Sequence, residues 1–146
     1  MEGEADTGKS TSGIVVDALG TLVIWKSKKQ TKVPQSTMQA EMIATAYGKV
    51  QIDWLHDLTY EIGIGSKDIT RRILNHSLNC GTTLNSGNFQ SDSRDLRLRY
   101  HSIHVAIAKG EVEIKHVAGT EMLADALTKA LGGVTLSEFV EEIGLG

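Results

Sequence analysis

Hydrophobic and polar positions along the first half of the chain follow two different periods. Two short β-branched runs, residues 12–19 and 21–25, are separated by a glycine, which is the pattern of a β-hairpin. Apolar residues then recur at helical spacing over residues 37–62, behind Ser36 or Thr37 as the N-cap. We expect the apolar stripe of this helix to face a core, and its members are Ile43, Tyr47, Val50, Trp54, Leu58 and Ile62.

The second half of the chain continues the alternation of strand and helix patterns. The patterns predict a strand over residues 68–75, a short helix over 78–84, a helix over 93–109, a strand over 111–117 and helices beginning at Thr120 and Thr135. The resulting order, β, β, α, β, short α, α, β, α, α, predicts one mixed α/β domain over residues 1–146, with a small sheet covered by helices. Within it we expect residues 1–10 to be a loop or free end and residues 134–146 to be a helical tail.

Composition restricts the class of protein. The 146 residues are 40% hydrophobic and 23% charged, which is ordinary for a globular domain with a sizeable core. Cys80 is the only cysteine, so an intramolecular disulfide and a cysteine-based zinc site are both excluded. Because no apolar run approaches the roughly 20 residues that span a bilayer, and the first residues lack targeting character, we expect no membrane association and an intracellular location, cytoplasmic or nuclear.

Charge is unevenly distributed along the chain. The net charge of −3 argues against a strongly basic nucleic-acid-binding protein. Residues 26–32 nevertheless contain four lysines, and Arg94, Arg97 and Arg99 form a second basic group. Local groups of this kind can hold phosphates whatever the total charge. The same lysines are equally compatible with an ordinary solvated surface.

Glu41 lies in the first turns of the long helix but off its apolar stripe. A carboxylate in this position can simply complement the helix dipole. Three motifs indicate a second interpretation. They are Trp25-Lys26-Ser27-Lys28-Lys29-Gln30, Ser36-Thr37-x-x-Ala40-Glu41 and Leu123-Ala124-Asp125-Ala126-Leu127-Thr128-Lys129. Together they resemble the ribonuclease H domain at the end of the polyprotein of copia-type LTR retrotransposons.

This resemblance covers essentially the whole chain and implies a ribonuclease H-like mixed sheet flanked by helices. It implies that Glu41 and Asp125 are catalytic carboxylates that bind a pair of Mg²⁺ ions. His76 stands where the family has a third, aspartate ligand, and histidine does not supply the negative charge that Mg²⁺ prefers. The family's first strand, with an Asp-Ala-Asp-Trp segment, has no counterpart here, and Asp6 and Asp17 do not match it.

Several expectations follow from the two missing carboxylates and the missing strand. Binding of Mg²⁺ or Mn²⁺ should be weak or absent, and cleavage of RNA in RNA–DNA hybrids should be impaired. The sheet should have a gap between the hairpin and the strand near 69–74, where the family has its first strand. The resemblance also implies an origin in a larger polyprotein with reverse transcriptase and integrase, and nucleic-acid contacts by Lys26, Lys28, Lys29, Ser36, Ser77 and Arg97.

Two other functions remain open from the sequence. The chain could be a non-catalytic module that holds a hybrid or other nucleic acid through phosphates and 2′-hydroxyls. It could also be a decayed transposon fragment without a selected function.

Overall fold

The elements alternate between strands and helices in the order expected from the sequence. The computed structural model describes residues 9–18, 21–75, 77–118 and 141. In these ranges the elements are β1 (Thr11–Ala18), β2 (Thr21–Lys29), α1 (Thr37–Glu61), β3 (Arg71–Asn75), α2 (Leu78–Ser86), α3 (Arg94–Ala108) and β4 (Val112–His116). The prediction of a mixed α/β architecture with small sheets is confirmed. Residues 1–8, the helices expected from Thr120 and Thr135 and almost all of the expected 134–146 tail lie outside the described residues.

The hairpin predicted from the β-branched runs is formed by β1 and β2. The two strands pair antiparallel, with a register shift between Val16 and Asp17. Alternate residues of β1, namely Ser12, Ile14 and Val16, are buried, as the two-residue period of a strand requires. β2 does not end at Trp25 but continues through the basic cluster to Lys29, because the partner strand begins at Thr11 and supplies ladder bonds to its end.

The long helix forms with the predicted limits. The Ser36 hydroxyl accepts a hydrogen bond from the Gln39 backbone N–H at 3.2 Å, which makes Ser36 the N-cap of α1. At the other end Gly63 adopts a φ of 80°, a left-handed conformation that suits glycine and ends the helix.

The prediction that the apolar stripe of α1 faces the core is wrong for its second half. Ile43 is buried, but Val50, Trp54, Leu58 and Ile62 are exposed. The inner side of this half instead carries the ion-paired Lys49 and Asp53, and Asp53 also pairs with Arg71 at the start of β3, with 3.1 Å between Arg71 Nε and Asp53 Oδ1. The second half of α1 therefore carries an apolar stripe that the described elements do not cover.

The strands β3 and β4 pair in parallel and are connected through α2 and α3. The apolar stripe predicted for α3 is confirmed, since Leu96, Tyr100 and Ile103 are buried and Ile107 packs against them. The core cluster is formed by the three helices, and Ile114 of β4 packs against it. Its members are Met42, Ala46, Cys80, Leu84, Tyr100 and Ile103.

The four described strands form two sheets and not one. β1 pairs with β2 and β3 pairs with β4, and no ladder joins the two pairs within the described residues. Helix α1 packs against β1 and also against β3. None of the helices in the described ranges has the length and apolar character that a membrane crossing requires.

Candidate functional site

The residue that the sequence singled out, Glu41, lies in the first turns of α1 and is partly buried. Thr45 follows it by one helical turn, and its hydroxyl donates a hydrogen bond to the Glu41 carbonyl oxygen at 2.8 Å. Thr45 is itself buried. The turn of α1 that carries Glu41 is thus hydrogen-bonded to the buried side chain of Thr45.

Asn75, the last residue of β3, connects this turn of α1 to the strand. Its side chain is only 2% exposed, and its Nδ2 donates a hydrogen bond to Thr45 Oγ1 at 3.0 Å. Its Oδ1 accepts a hydrogen bond from the Ser77 backbone N–H at 2.7 Å. The end of β3 is therefore held beside the turn that carries Glu41. The next residue, His76, is outside the described residues, and so is Asp125.

The buried Cys80 thiol lies close enough to the Glu41 carboxylate for its pKa to be affected by that charge. Cys80 in α2 is fully buried. Burial, and secondarily the negative charge of Glu41, raise the pKa of the Cys80 thiol to about 11, while hydrogen bonding by Thr45 and Asn75 offsets part of this effect. The thiol is accordingly protonated at neutral pH, and a protonated thiol is a poor metal ligand.

The groups described around Glu41 form only part of the expected metal site, because His76 and Asp125 lie outside the described residues. The described groups are one carboxylate, an amide, a hydroxyl and a protonated thiol, whereas Mg²⁺ is held mainly by carboxylates and water. Within residues 9–18, 21–75 and 77–118, no three histidine, cysteine, aspartate or glutamate side chains come together in a metal-binding arrangement. The expectation that Glu41 and Asp125 bind metal ions therefore stays a prediction.

An open cleft of about 460 Å³ adjoins the site, between α2 and the ends of β3 and β4. Asn75 and Ser77 line it on one side, and Asn85 and His116 line it on another. Ser77 is the N-cap of α2, because its hydroxyl accepts a hydrogen bond from the Cys80 backbone N–H at 3.2 Å. The cleft follows from the packing of α2 on the parallel strands, and the sequence pattern alone carried no signal for it.

The basic residues named from the sequence do not all share one surface. Lys26 and Lys28 pair with Ile14 and Ser12 across the hairpin, so they lie on the face of the hairpin that carries α1. Lys29 pairs with Thr11 and lies on the opposite face.

Two cationic side chains contact the Tyr47 ring, and only one of them, Lys28, was among the nucleic-acid-binding residues expected from the sequence. Lys28 Nζ lies 4.8 Å and Arg99 Cζ 5.0 Å from the centroid of the Tyr47 ring. Arg97, which the resemblance suggested, instead donates a hydrogen bond to the Ser91 carbonyl oxygen. Since residues two apart on a helix point about 200° apart, Arg97 lies on another side of α3 from Arg99. No spacing rule connects residues 28, 47 and 99, so the pair could not have been read from the sequence.

Comparison with known proteins finds relatives among the Pol polyproteins of transposons. The chain is 31% identical over 145 residues to the retrovirus-related Pol polyproteins from transposons RE1 and RE2 of Arabidopsis thaliana, a match that covers 98% of the chain. It is 26% identical over 131 residues to the retrovirus-related Pol polyprotein from transposon TNT 1-94 of Nicotiana tabacum, covering 90% of the chain. No family model matches the chain, and neither does any solved structure.

The match is nearly complete for the chain but small for the relatives. The chain spans about a tenth of the length of each of these curated polyproteins. It is thus homologous to a segment of retrovirus-related Pol polyproteins from transposons.

Proposed function

We propose that the chain is a transposon-derived ribonuclease H-like domain that binds RNA–DNA hybrids and whose cleavage activity is impaired. Its site centres on Glu41 and the carboxyl end of β3. The ribonuclease H assignment rests on the three motifs, and the similarity to transposon Pol polyproteins supports the origin that those motifs imply.

One observation carries the location of the site. The Thr45–Asn75 hydrogen bond holds the end of β3 against the turn of α1 that carries Glu41. A site built from a strand end and a helix turn far apart in sequence requires a contact of this kind.

The impairment follows from the donor groups near Glu41. Hydrolysis with two metal ions needs several carboxylates to hold the ions and balance their charge. Of the family's carboxylates the sequence retains Glu41 and Asp125, and histidine at position 76 does not replace an aspartate. The remaining polar groups, chiefly amides and hydroxyls, suit hydrogen bonding to a nucleic-acid backbone better than metal binding.

The hybrid-binding surface is best supported around the Tyr47 ring. Lys28 and Arg99 lie over this ring, and Lys26 lies on the same face of the hairpin. Two cations whose positions are fixed by an aromatic ring form a suitable contact for backbone phosphates. Ser36 and Ser77 cap helices whose free N–H groups favour anions, which adds two polar contacts.

A cleavage assay with a labelled RNA–DNA hybrid tests the catalytic part of the proposal. We expect no cleavage by residues 1–146 in Mg²⁺ or Mn²⁺, and none after His76→Asp alone, because these residues contain no counterpart of the family's Asp-Ala-Asp-Trp segment. Adding an N-terminal Asp-Ala-Asp-Trp strand together with His76→Asp should give metal-dependent cleavage of the RNA strand, and Glu41→Gln should abolish that activity. Cleavage by the unaltered chain would refute the impairment.

Fluorescence anisotropy with the same hybrid tests the binding part. Affinity should fall steeply as salt increases, because phosphate contacts release counterions. Lys28→Ala or Arg99→Ala should each lower the slope of log K against log salt by roughly 1. Lys109→Ala, an exposed cation at the C-terminal end of α3, is the matched control and should leave the slope unchanged. Equal effects of all three substitutions would exclude the Tyr47 surface.

A further inference from the structure

The second half of α1 presents an exposed apolar stripe that none of the described elements covers. Its four members recur every four residues, so they follow one side of the helix over about 18 Å. They are Val50, Trp54, Leu58 and Ile62, with exposed fractions of 62%, 57%, 37% and 60%. A contiguous apolar surface of this kind on a globular domain is typical of a site where another molecule binds.

Contacts at either end limit this stripe to the second half of α1. Tyr47, one helical turn before Val50, has its ring contacted by Lys28 and Arg99. At the other end Gly63 adopts a left-handed conformation that ends the helix. The stripe is therefore a single helical face between these two residues, and a partner that covers it needs about four helical turns.

Two carboxylates border the stripe along one side. Asp57 follows Trp54 by three residues, so it lies about 60° around the helix from that ring. Glu61 has the same relation to Leu58. Asp57 contacts the His56 ring, with 3.2 Å between Nδ1 and Oδ1, yet 78% of its side chain is exposed. Glu61 is also exposed and forms no ion pair with the other described residues. One border of the stripe is thus acidic and accessible to a partner.

The cations described near this half of α1 do not neutralise the acidic border. Lys49 and Arg71 both pair with Asp53, on the inner side of the helix. Lys67 lies over the Tyr60 ring, at 4.9 Å from the ring centroid. Tyr60 is two residues away from a member of the stripe and lies about 200° around the helix from it. A partner with cations of its own would therefore complement this border.

A second copy of the same helix is a poor complement to the stripe. A twofold axis that relates two antiparallel copies brings the same border of each helix to the same side of the interface. Asp57 and Glu61 would then face the same two acids of the second copy, and like charges beside a helix interface are unfavourable. The surface thus favours a partner of opposite charge.

We propose that the second half of α1 binds an amphipathic helix of another polypeptide whose apolar face is bordered by lysine or arginine. The apolar face packs along the stripe, and the basic border lies against Asp57 and Glu61. Trp54, in the middle of the stripe, is the anchor, because aromatic rings near the centre of an interface contribute strongly to affinity. The charges at the rim determine which helix is preferred. The site does not depend on whether the chain cleaves or binds nucleic acid.

Fluorescence anisotropy with two labelled peptides of about 16 residues tests the proposal on the full chain. Both peptides carry leucine at i, i+4, i+7 and i+11 in an alanine-rich helix. One has lysine at the positions beside the leucines, and the other has glutamate there. We expect saturable binding of the lysine peptide, about tenfold or more tighter than binding of the glutamate peptide, with a difference that falls as salt increases.

Substitutions at exposed positions show where the peptide binds. Trp54→Ala should weaken binding of the lysine peptide about tenfold or more. Trp25→Ala is the matched control, because Trp25 is 56% exposed on the face of the hairpin opposite to α1. It should change the affinity by less than about twofold. Glu61→Lys should weaken binding of the lysine peptide and strengthen binding of the glutamate peptide, each by about threefold.

The fluorescence of Trp54 reports directly whether the stripe is covered. The chain has two tryptophans, so Trp25→Phe leaves Trp54 as the only one. Its emission should shift to shorter wavelength when the lysine peptide excludes water from the ring. An emission spectrum that does not change at saturating peptide would place the peptide elsewhere and refute the proposal.

Three further outcomes would overturn the proposal. The first is equal binding of the two peptides, or no saturable binding of either. The second is an equal loss of affinity from Trp25→Ala and Trp54→Ala, which would indicate unspecific contact with any exposed ring. The third is self-association of the chain without peptide that Trp54→Ala abolishes, which would assign the stripe to a second copy. Failure of hybrid binding or cleavage leaves the peptide results unchanged, so the two proposals fail separately.

Discussion

Removing the Asn75 side chain is the most direct test of the connection between β3 and α1. Asn75→Ala deletes two hydrogen bonds at a position that is 2% exposed, one to Thr45 Oγ1 and one from the Ser77 N–H. Each bond contributes about 1 kcal/mol, and an unsatisfied buried group costs about 1–3 kcal/mol more. We expect the free energy of unfolding to fall by about 3 kcal/mol, which lowers Tm by about 10 °C for a chain of this size.

Thermal and urea unfolding followed by circular dichroism measure this change. Asn88→Ala, at an exposed position in the loop after α2, is the matched control and should change the free energy of unfolding by less than about 0.5 kcal/mol. A double-mutant cycle of Asn75→Ala with Thr45→Val should give a coupling of about 1 kcal/mol. If the two substitutions add within about 0.3 kcal/mol, or if Asn75→Ala costs no more than Asn88→Ala, the proposed connection between strand and helix is wrong.

Two further predictions concern the core. Ile103→Ala should lower the free energy of unfolding, measured with urea, by about 2–5 kcal/mol because the side chain is fully buried. Trp54→Ala, at 57% exposure, should lower it by less than about 1 kcal/mol. A larger loss at Trp54 would show that its half of α1 is covered. Because burial raises the pKa of Cys80 to about 11 from its ordinary 9.0, its stabilising contribution should be complete below pH 9 and lost between pH 9 and 11. Cys80→Ser should remove that part of the pH profile measured by urea unfolding, and an unchanged profile would contradict the assignment.

Most elements of the fold could be predicted because their signals are local. The β-branched runs predicted the hairpin, and the spacing of Leu96, Tyr100 and Ile103 predicted the buried face of α3. Ser36 is recognisable as an N-cap because a short hydroxyl side chain precedes residues with helical apolar spacing. Each of these signals extends over only a few residues.

The errors arose where burial depends on distant parts of the chain. Periodicity showed that α1 has an apolar stripe, but not that Val50 and Trp54 are exposed while Asp53, beside them, pairs with Arg71 at the start of β3. The lysines after Trp25 have low strand propensity, yet pairing with β1 continues β2 through them. Pairing with β1 thus outweighed the low strand propensity of these lysines.

The candidate site could be located by motif but not assembled from the sequence. Glu41 was found from its motif, while the contacts that hold it in place, Thr45 and Asn75, carry no motif of their own. Arg99 was passed over for Arg97, because only the helix phase and the position of Tyr47 distinguish them. The Thr45–Asn75 and Tyr47–Arg99 contacts join residues 30 and 52 positions apart, and such pairs depend on three-dimensional packing.

The parallel pairing of β3 with β4 has a consequence for the order of folding. Arg71 pairs with Val112, so this ladder closes only after the chain between them has formed α2 and α3, whereas the hairpin joins neighbouring strands. Long-range pairing is slow because loop closure costs entropy before contacts repay it. We therefore infer that the hairpin and helices form first and that the strand end carrying Asn75 is among the last parts to become ordered. In pulse-labelled hydrogen exchange, residues 71–75 should gain protection after residues 11–29, and the reverse sequence would contradict this order.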